Sequence, residues 1–143
     1  MRYSGTDSPI LSDRSMLCLK QLVAGTPYST QKKENFVFEE HFRFILKNIF
    51  YLCGFKVSEE QQMPAGRIDL VVETSENIYI LELKMSDNGG VVSASYQISS
   101  RHYADAYAAS SKPVISLALE FDRESRGLMD WKKLNIALKQ YRL

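Results

Sequence analysis

The segment IYILELK, residues 78–84, opens with four apolar residues and then carries a carboxylate and an ammonium group. The apolar run predicts a central strand that is covered on both faces. Because side chains alternate along a strand, Glu82 and Lys84 share one face with Ile78 and Ile80. Burying a charge is costly unless the charge is paired or bound to a metal. The segment therefore indicates either a functional site at the end of a core strand or a solvated strand end with a weak ion pair.

The preceding segment, GRIDLVVE at residues 66–73, poses the same question through Asp69. It reads as a second strand, over 67–73, and residues 74–77 read as the hairpin connection to the third strand. Alternation places Ile68 on the same face as Leu70, and Asp69 on the other face. If the hairpin pairs the two strands, Asp69 lies near Glu82. Two neighbouring carboxylates repel each other, and a divalent cation relieves that repulsion; hard oxygen ligands favour Mg²⁺ or Mn²⁺ over Zn²⁺.

The segments around this pair predict an α/β fold. Residues 35–53 have the apolar spacing of a helix, and 55–62 read as a first, partly exposed strand. A helix over 92–110 follows the third strand, then a buried strand over 114–121 and an edge strand over 128–132. This order predicts a mixed sheet with helices on both sides, in which the second helix is a crossover.

Length and composition are those of one globular domain. The chain has 143 residues, 45% of them hydrophobic and 24% charged, with a net charge of +1. These values exclude a coiled coil, a disordered tail and a strongly basic nucleic-acid coat, although a local basic patch stays open. We expect a flexible N-terminal arm over 1–15 and a single domain over 16–143, with a short helix at 16–24.

The cell compartment is predicted from what the chain begins with and how few cysteines it has. Residues 1–15 have no apolar run of the kind found in signal peptides, and no stretch approaches the roughly 20 apolar residues that span a bilayer. The two cysteines, Cys18 and Cys53, fit a reducing environment. We therefore expect a cytoplasmic protein with no membrane partner.

The spacing of the charged residues resembles the core of the PD-(D/E)XK nuclease superfamily. The sequence Gly66-Arg67-Ile68-Asp69 is followed, after twelve residues, by Glu82-Leu83-Lys84. Downstream, Gln97-Ile98 precedes Tyr103, and upstream the stretch AGTPYS at 24–29 is similar to the lead-in of one bacterial branch. That branch is usually found C-terminal to an AAA-type ATPase-like domain. The resemblance covers about residues 18–132 and implies a restriction-endonuclease-like α-β-β-β-α-β core.

The resemblance also implies roles for the strand residues. Asp69 and Glu82 would ligate Mg²⁺ or Mn²⁺, with the Leu83 backbone carbonyl as a further ligand, and Lys84 would lie beside the attacking water and the scissile phosphate. The chain departs from the superfamily pattern in having Ile68 where the proline stands. It also lacks the phosphate-binding motif G-x-x-x-x-G-K-[ST] of an ATPase.

The two helices supply further candidates. Family members carry a glutamate on the first helix, where Glu39 lies about 60° from Phe42 around the helix axis and Glu40 about 160° away, so Glu39 is preferred. The resemblance implies that Gln97 orders the site or contacts the phosphate backbone. The alternative for Glu39 and Glu40 is that both are surface charges, and the alternative for Gln97 is that it is a surface amide.

Three tyrosines form a stripe on the second helix, and we expect them to belong to the core rather than to a base-stacking platform. They are Tyr96, Tyr103 and Tyr107. Weaker candidates for contacting nucleic acid are Arg67, Arg101 and Tyr103.

The leading hypothesis is a Mg²⁺-dependent nuclease acting on DNA through Asp69, Glu82 and Lys84. The alternative is a catalytically inactive module of the same fold that binds nucleic acid or a protein partner. A degenerate copy usually loses one member of the acid-acid-lysine set, and here all three residues are present. Because related nucleases often pair to cut both strands, a homodimer is a further expectation.

Overall fold

The computed structural model describes residues 13–24, 38–63, 66–101, 107, 109–125 and 127–134. The helices are α1 (Asp13–Ala24), α2 (Phe38–Leu52) and α3 (Gly90–Arg101), and a short 3₁₀ helix spans Ser86–Asn88. The strands are β1 (Lys56–Met63), β2 (Gly66–Glu73), β3 (Ile78–Met85), β4 (Val114–Asp122) and β5 (Gly127–Leu134). No helix in this part of the chain is both long enough and apolar enough to cross a membrane.

The five strands form one mixed sheet in the order β1-β2-β3-β4-β5. Only β3 and β4 pair in parallel, and the other neighbours are antiparallel. Antiparallel neighbours need only a tight turn, whereas a parallel pair needs a crossover, which α3 supplies. The predicted fold class, an α/β mixed sheet with flanking helices and an α-β-β-β-α-β core, is confirmed.

The sheet is covered on both faces, as the apolar run of β3 requires. One core lies under α1 and α2 and includes Phe42, Tyr79, Leu81 and Leu83. The other lies under α3, and its members include Ile78, Ile80 and Ile98. Successive β3 side chains therefore alternate between the α1–α2 core and the α3 core, so Glu82 and Lys84 belong to the α3 side.

The sheet opens between β2 and β3, and this opening positions the site. Their pairing reaches Leu70↔Leu81 and goes no further in the described residues. On the outer sides, β1 pairs with β2 as far as Met63↔Gly66, and β3 pairs with β4 as far as Met85↔Phe121. The packing of β2 also changes here, because Ile68 lies in the α3 core whereas Leu70 lies in the α1–α2 core. The prediction that these two side chains share a face is wrong: they pack in different cores, at the point where the pairing of β2 with β3 ends.

Most element boundaries differ from those predicted by a few residues, and the larger differences concern α1, α3 and β5. The helix α1 begins at Asp13, inside the segment predicted as an arm; residues 1–12 lie outside the described residues. The crossover helix begins at Gly90 rather than 92 and ends at Arg101. Beyond it, Tyr107 lies in a 3₁₀ turn in which the Ser110 N–H donates to the Tyr107 carbonyl, so the prediction of helix to residue 110 is wrong. The edge strand is confirmed and is longer than predicted, over Gly127–Leu134.

Candidate active site

Asp69 and Glu82 lie at the point where β2 and β3 separate. Both are buried, with 8% and 2% of their surface exposed. The backbone N–H of Leu83 donates to Asp69 Oδ2 at 2.8 Å. This N–H belongs to the peptide that follows Glu82, so the Asp69 carboxylate replaces the missing strand partner of β3. The structure thus brings both predicted acids to the same peptide.

The Glu82 carboxylate has one satisfied oxygen and one orphaned oxygen. Its Oε2 accepts a hydrogen bond from Gln97 Nε2 of α3 at 2.6 Å. Its Oε1 is buried and has no hydrogen-bond partner among the described residues. Leaving a buried polar atom unpaired costs on the order of 1–3 kcal/mol. Such an atom is a candidate position for a ligand that the protein binds.

Electrostatics connect Glu82 to the other predicted site residues. Burial raises the pKa of Glu82 to about 9, and the nearby Asp69 carboxylate contributes to the rise. Lys84 and Arg101 lower that pKa, while Glu39 raises it further. The site therefore combines three acidic side chains, those of Asp69, Glu82 and Glu39, with the basic side chains of Lys84 and Arg101. Without a bound cation, it keeps Glu82 protonated at neutral pH.

Of the two candidate glutamates on α2, the structure brings Glu39 to this group. Glu39 is half-buried, and its pKa is raised by burial and by the neighbouring Asp69, while Lys84 lowers it. The Glu40 side chain is 63% exposed and lies 3.9 Å from Arg43 on the helix surface. Glu39 is thus the one of the two that lies near Asp69 and Lys84, as its helical angle from Phe42 suggests; its role in a site stays a prediction.

The remaining candidates divide between α3 and parts of the chain whose side chains are not described. Arg101 is exposed at the end of α3, within electrostatic reach of Glu82. The Arg67 side chain and Tyr103 lie outside the described residues. Tyr107 packs against the α3 core, as predicted, but Tyr96 is 73% exposed, so its prediction as core is wrong. The reason is that α3 buries only the face carrying Ala94 and Ile98.

One acidic residue near the site was missed. Glu120 lies near the end of β4, opposite Lys84 in the strand register. Its carboxylate accepts hydrogen bonds from the Ser86 hydroxyl, in the 3₁₀ helix, and from the Val91 N–H, at the start of α3. The available signal was a carboxylate in an otherwise apolar strand, VISLALEFD, the same anomaly that Glu82 presents.

The residues present fit a hard divalent cation. The fit rests on the orphaned Glu82 Oε1 and on the second carboxylate at the adjoining peptide. In the described part of the chain, no group of three or more His, Cys, Asp or Glu side chains is arranged to hold a metal. A site of two carboxylates suits Mg²⁺, which usually keeps several waters and binds one or two carboxylates together with substrate phosphates.

The raised pKa of Glu82 predicts how stability depends on pH when no metal is present. Unfolded Glu82 releases its proton near pH 4.5, whereas the folded protein holds it to about pH 9. Between these values the folded state binds more protons, so the free energy of unfolding falls as pH rises. In EDTA, we expect Glu82→Gln to remove this loss, so that its advantage over wild type grows from pH 5 to pH 8.5. Urea denaturation at both pH values measures the difference, and an equal difference at the two pH values would contradict the prediction.

Comparison with known proteins finds a family match that spans these residues. The model of the PD-(D/E)XK nuclease superfamily matches residues 37–131, a range that contains Glu39, Asp69, Glu82 and Lys84. A protein of Azotobacter chroococcum mcd 1, described as "Uncharacterized protein in vnfD 5'region", is 29% identical over 92 residues. The match covers 64% of this chain but only 18% of that protein. No solved structure matches the chain significantly. From its family match over α2 to β5, the chain belongs to the PD-(D/E)XK nuclease superfamily.

Proposed function

We propose that the protein is a Mg²⁺- or Mn²⁺-dependent nuclease that hydrolyses phosphodiester bonds, with DNA as its substrate. The observation that supports this most directly is the buried, orphaned Glu82 Oε1 beside Asp69 at the opening between β2 and β3. A plain structural role leaves that buried oxygen unexplained. The superfamily match makes phosphodiester hydrolysis the activity to test first.

In this proposal, Asp69, Glu82 and the Leu83 carbonyl hold the cation. When bound, the cation supplies a lowered pKa for the attacking water and shields the charge on the phosphate. Gln97 holds Glu82 through its hydrogen bond to Oε2, which leaves Oε1 for the ligand. The Glu39 carboxylate extends the acidic wall of the site.

Lys84 supplies a fixed positive charge in this proposal. It lies two residues beyond Glu82 on the same face of β3 and is half-buried. A preorganised charge is worth more in a partly water-excluded site than in solution, and it acts where negative charge develops on the phosphate. Arg101 adds a second positive group from α3. Arg67 and Tyr103 stay proposals for contacting the nucleic acid.

Some wider expectations also stay proposals. These are a homodimer that cuts both strands, an association with an ATPase-like domain as in related longer proteins, and a cytoplasmic location. The division into an arm over 1–15 and one domain over 16–143 is a proposal too.

A metal-dependence assay tests the proposal. Plasmid, linear and branched DNA, with RNA in parallel, are incubated with the protein in Mg²⁺, Mn²⁺, Ca²⁺ or EDTA. We expect cleavage of at least one DNA with Mg²⁺ or Mn²⁺ and none in EDTA. Asp69→Asn, purified identically, reports any contaminating nuclease and should be inactive. If the protein retains DNA on a filter yet cuts nothing with either metal, the inactive binding module becomes the correct reading.

A further inference from the structure

The Glu120 carboxylate, near the end of β4, accepts hydrogen bonds from the segment that connects β3 to α3 and from the start of α3. Ser86 Oγ donates to Glu120 Oε2 at 2.6 Å, and the Val91 N–H donates to Glu120 Oε1 at 2.8 Å. A second tie lies nearby, where Arg123 Nε is 2.8 Å from Asp87 Oδ2. The segment that follows Lys84 is thus held on both sides by residues from the end of β4 and the turn after it.

Gly90 fits this arrangement because it has no side chain. It is buried at the start of α3 with φ of +59°, a conformation that favours glycine. A Cβ at this position would lie 2.3 Å from Glu120 Oε1 and 2.7 Å from its Cδ. The first residue of α3 therefore packs directly on the Glu120 carboxylate.

The start of α3, together with the packing of Ala94 and Ile98 on the sheet, sets where Gln97 lies. Gln97 is six residues beyond Val91, which is about 9 Å along a helix. A tilt of α3 by about 10° around its first turn would displace Gln97 by roughly 1.6 Å. That displacement exceeds what the 2.6 Å hydrogen bond from Gln97 Nε2 to Glu82 Oε2 tolerates.

We propose that Glu120 is a positioning residue of the active site: by accepting hydrogen bonds from Ser86 and Val91, it fixes α3 so that Gln97 meets Glu82. Its catalytic consequence rests on the proposed nuclease function. Both carboxylate oxygens of Glu120 are engaged by the fold. Glu120 is thus distinguished from Glu82, whose Oε1 is left for a ligand. A carboxylate at the first turn of a helix is also favoured by the helix dipole.

The experiment compares Glu120→Ala, Glu120→Gln and Ser86→Ala with wild type. The control is Glu73→Gln, which alters another part-buried strand-end carboxylate, one that pairs with Lys112 at the turn end of the β2–β3 hairpin, away from Gln97. The first readout is the side-chain amide signal of Gln97 in a ¹H–¹⁵N spectrum, assigned by its loss in Gln97→Ala. We expect it to shift in Glu120→Ala, to shift less in Glu120→Gln, which keeps one acceptor oxygen, and to stay in place in Glu73→Gln.

The second readout is the single-turnover cleavage rate at saturating DNA. We expect a fall of roughly ten- to a hundredfold in Glu120→Ala, with DNA affinity nearly unchanged, because a small misplacement of a site residue acts mainly on the rate. If the Gln97 signal stays in place in all three variants, Glu120 only stabilises the fold and the proposal is overturned. If Glu120→Ala does not fold, Ser86→Ala and Glu120→Gln decide. If the signal shifts but wild type cuts no nucleic acid, the positioning role stands and the nuclease function fails.

Discussion

Glu82→Gln is expected to reduce metal-dependent cleavage on the order of a thousandfold while the protein stays folded. The substitution keeps the shape of the side chain, and the new amide oxygen can still accept the hydrogen bond from Gln97 Nε2. What it removes is the negative charge that, in the proposed function, holds the cation beside Asp69. The loss therefore reports the charge rather than the packing.

Two measurements show whether Glu82→Gln lowers the cleavage rate through a loss of metal binding. Single-turnover cleavage gives the rate, and titration calorimetry with Mg²⁺ in the presence of uncleavable DNA gives the metal affinity, which should also fall. Glu76→Gln, in the exposed turn between β2 and β3, is the matched control and should behave as wild type. Wild-type cleavage by Glu82→Gln at ordinary Mg²⁺ concentrations would rule out Glu82 as a ligand.

Lys84→Ala should lower the single-turnover cleavage rate by on the order of a hundredfold. Lys84 follows Glu82 on the same strand face. The positive charge of Lys84 partly offsets the rise in the pKa of Glu82, so the ammonium group lies close to the acidic side chains. If it acts where charge develops on the phosphate, the rate falls while DNA binding weakens little, because one phosphate contact among several is lost. Lys84→Arg should not restore the full rate, since a planar guanidinium does not replace a compact ammonium beside a metal.

Single-turnover cleavage measures the rate and filter binding measures the DNA affinity of the same Lys84 variants, so the effect on catalysis is distinguished from the effect on binding. Lys47→Ala serves as control, because it loses a surface ion pair with Glu59 at 3.2 Å on α2 and β1. If Lys84→Ala cuts at the wild-type rate, Lys84 is only an ion-pair partner within the acidic group. The inactive binding module would then become the stronger reading.

Much of the fold and part of the site follow from local pattern. The apolar start of IYILELK predicts a strand covered on both faces, and the strand is buried under α1 and α2 on one side and α3 on the other. Hairpin pairing of β2 with β3 predicts that Asp69 comes near Glu82, and the Asp69 carboxylate lies on the peptide after Glu82. Both inferences work because side-chain alternation and short connections are properties of the neighbouring chain.

The opening of the sheet could not be predicted in this way. Regular alternation placed Ile68 with Leu70, but the pairing of β2 with β3 ends at Leu70 and the two side chains pack in different cores. Likewise Tyr96 matched a helical stripe yet lies exposed. Which face of a helix or strand is buried depends on segments that are distant in the sequence. The residue spacing along one helix does not show where those segments pack.

The order of the elements, the burial of β3 and the position of Glu39 closer than Glu40 to the apolar stripe of α2 follow from local sequence, because each depends on periodicity within one segment. Tertiary packing, by contrast, leaves Glu82 Oε1 orphaned while Oε2 accepts a hydrogen bond from Gln97, and it brings Glu120 to the N–H of Val91 at the start of α3. These contacts join residues 15 and 29 positions apart in the chain. Hydrogen bonding and desolvation act over a few ångströms in space, so they are decided only once packing brings such residues together.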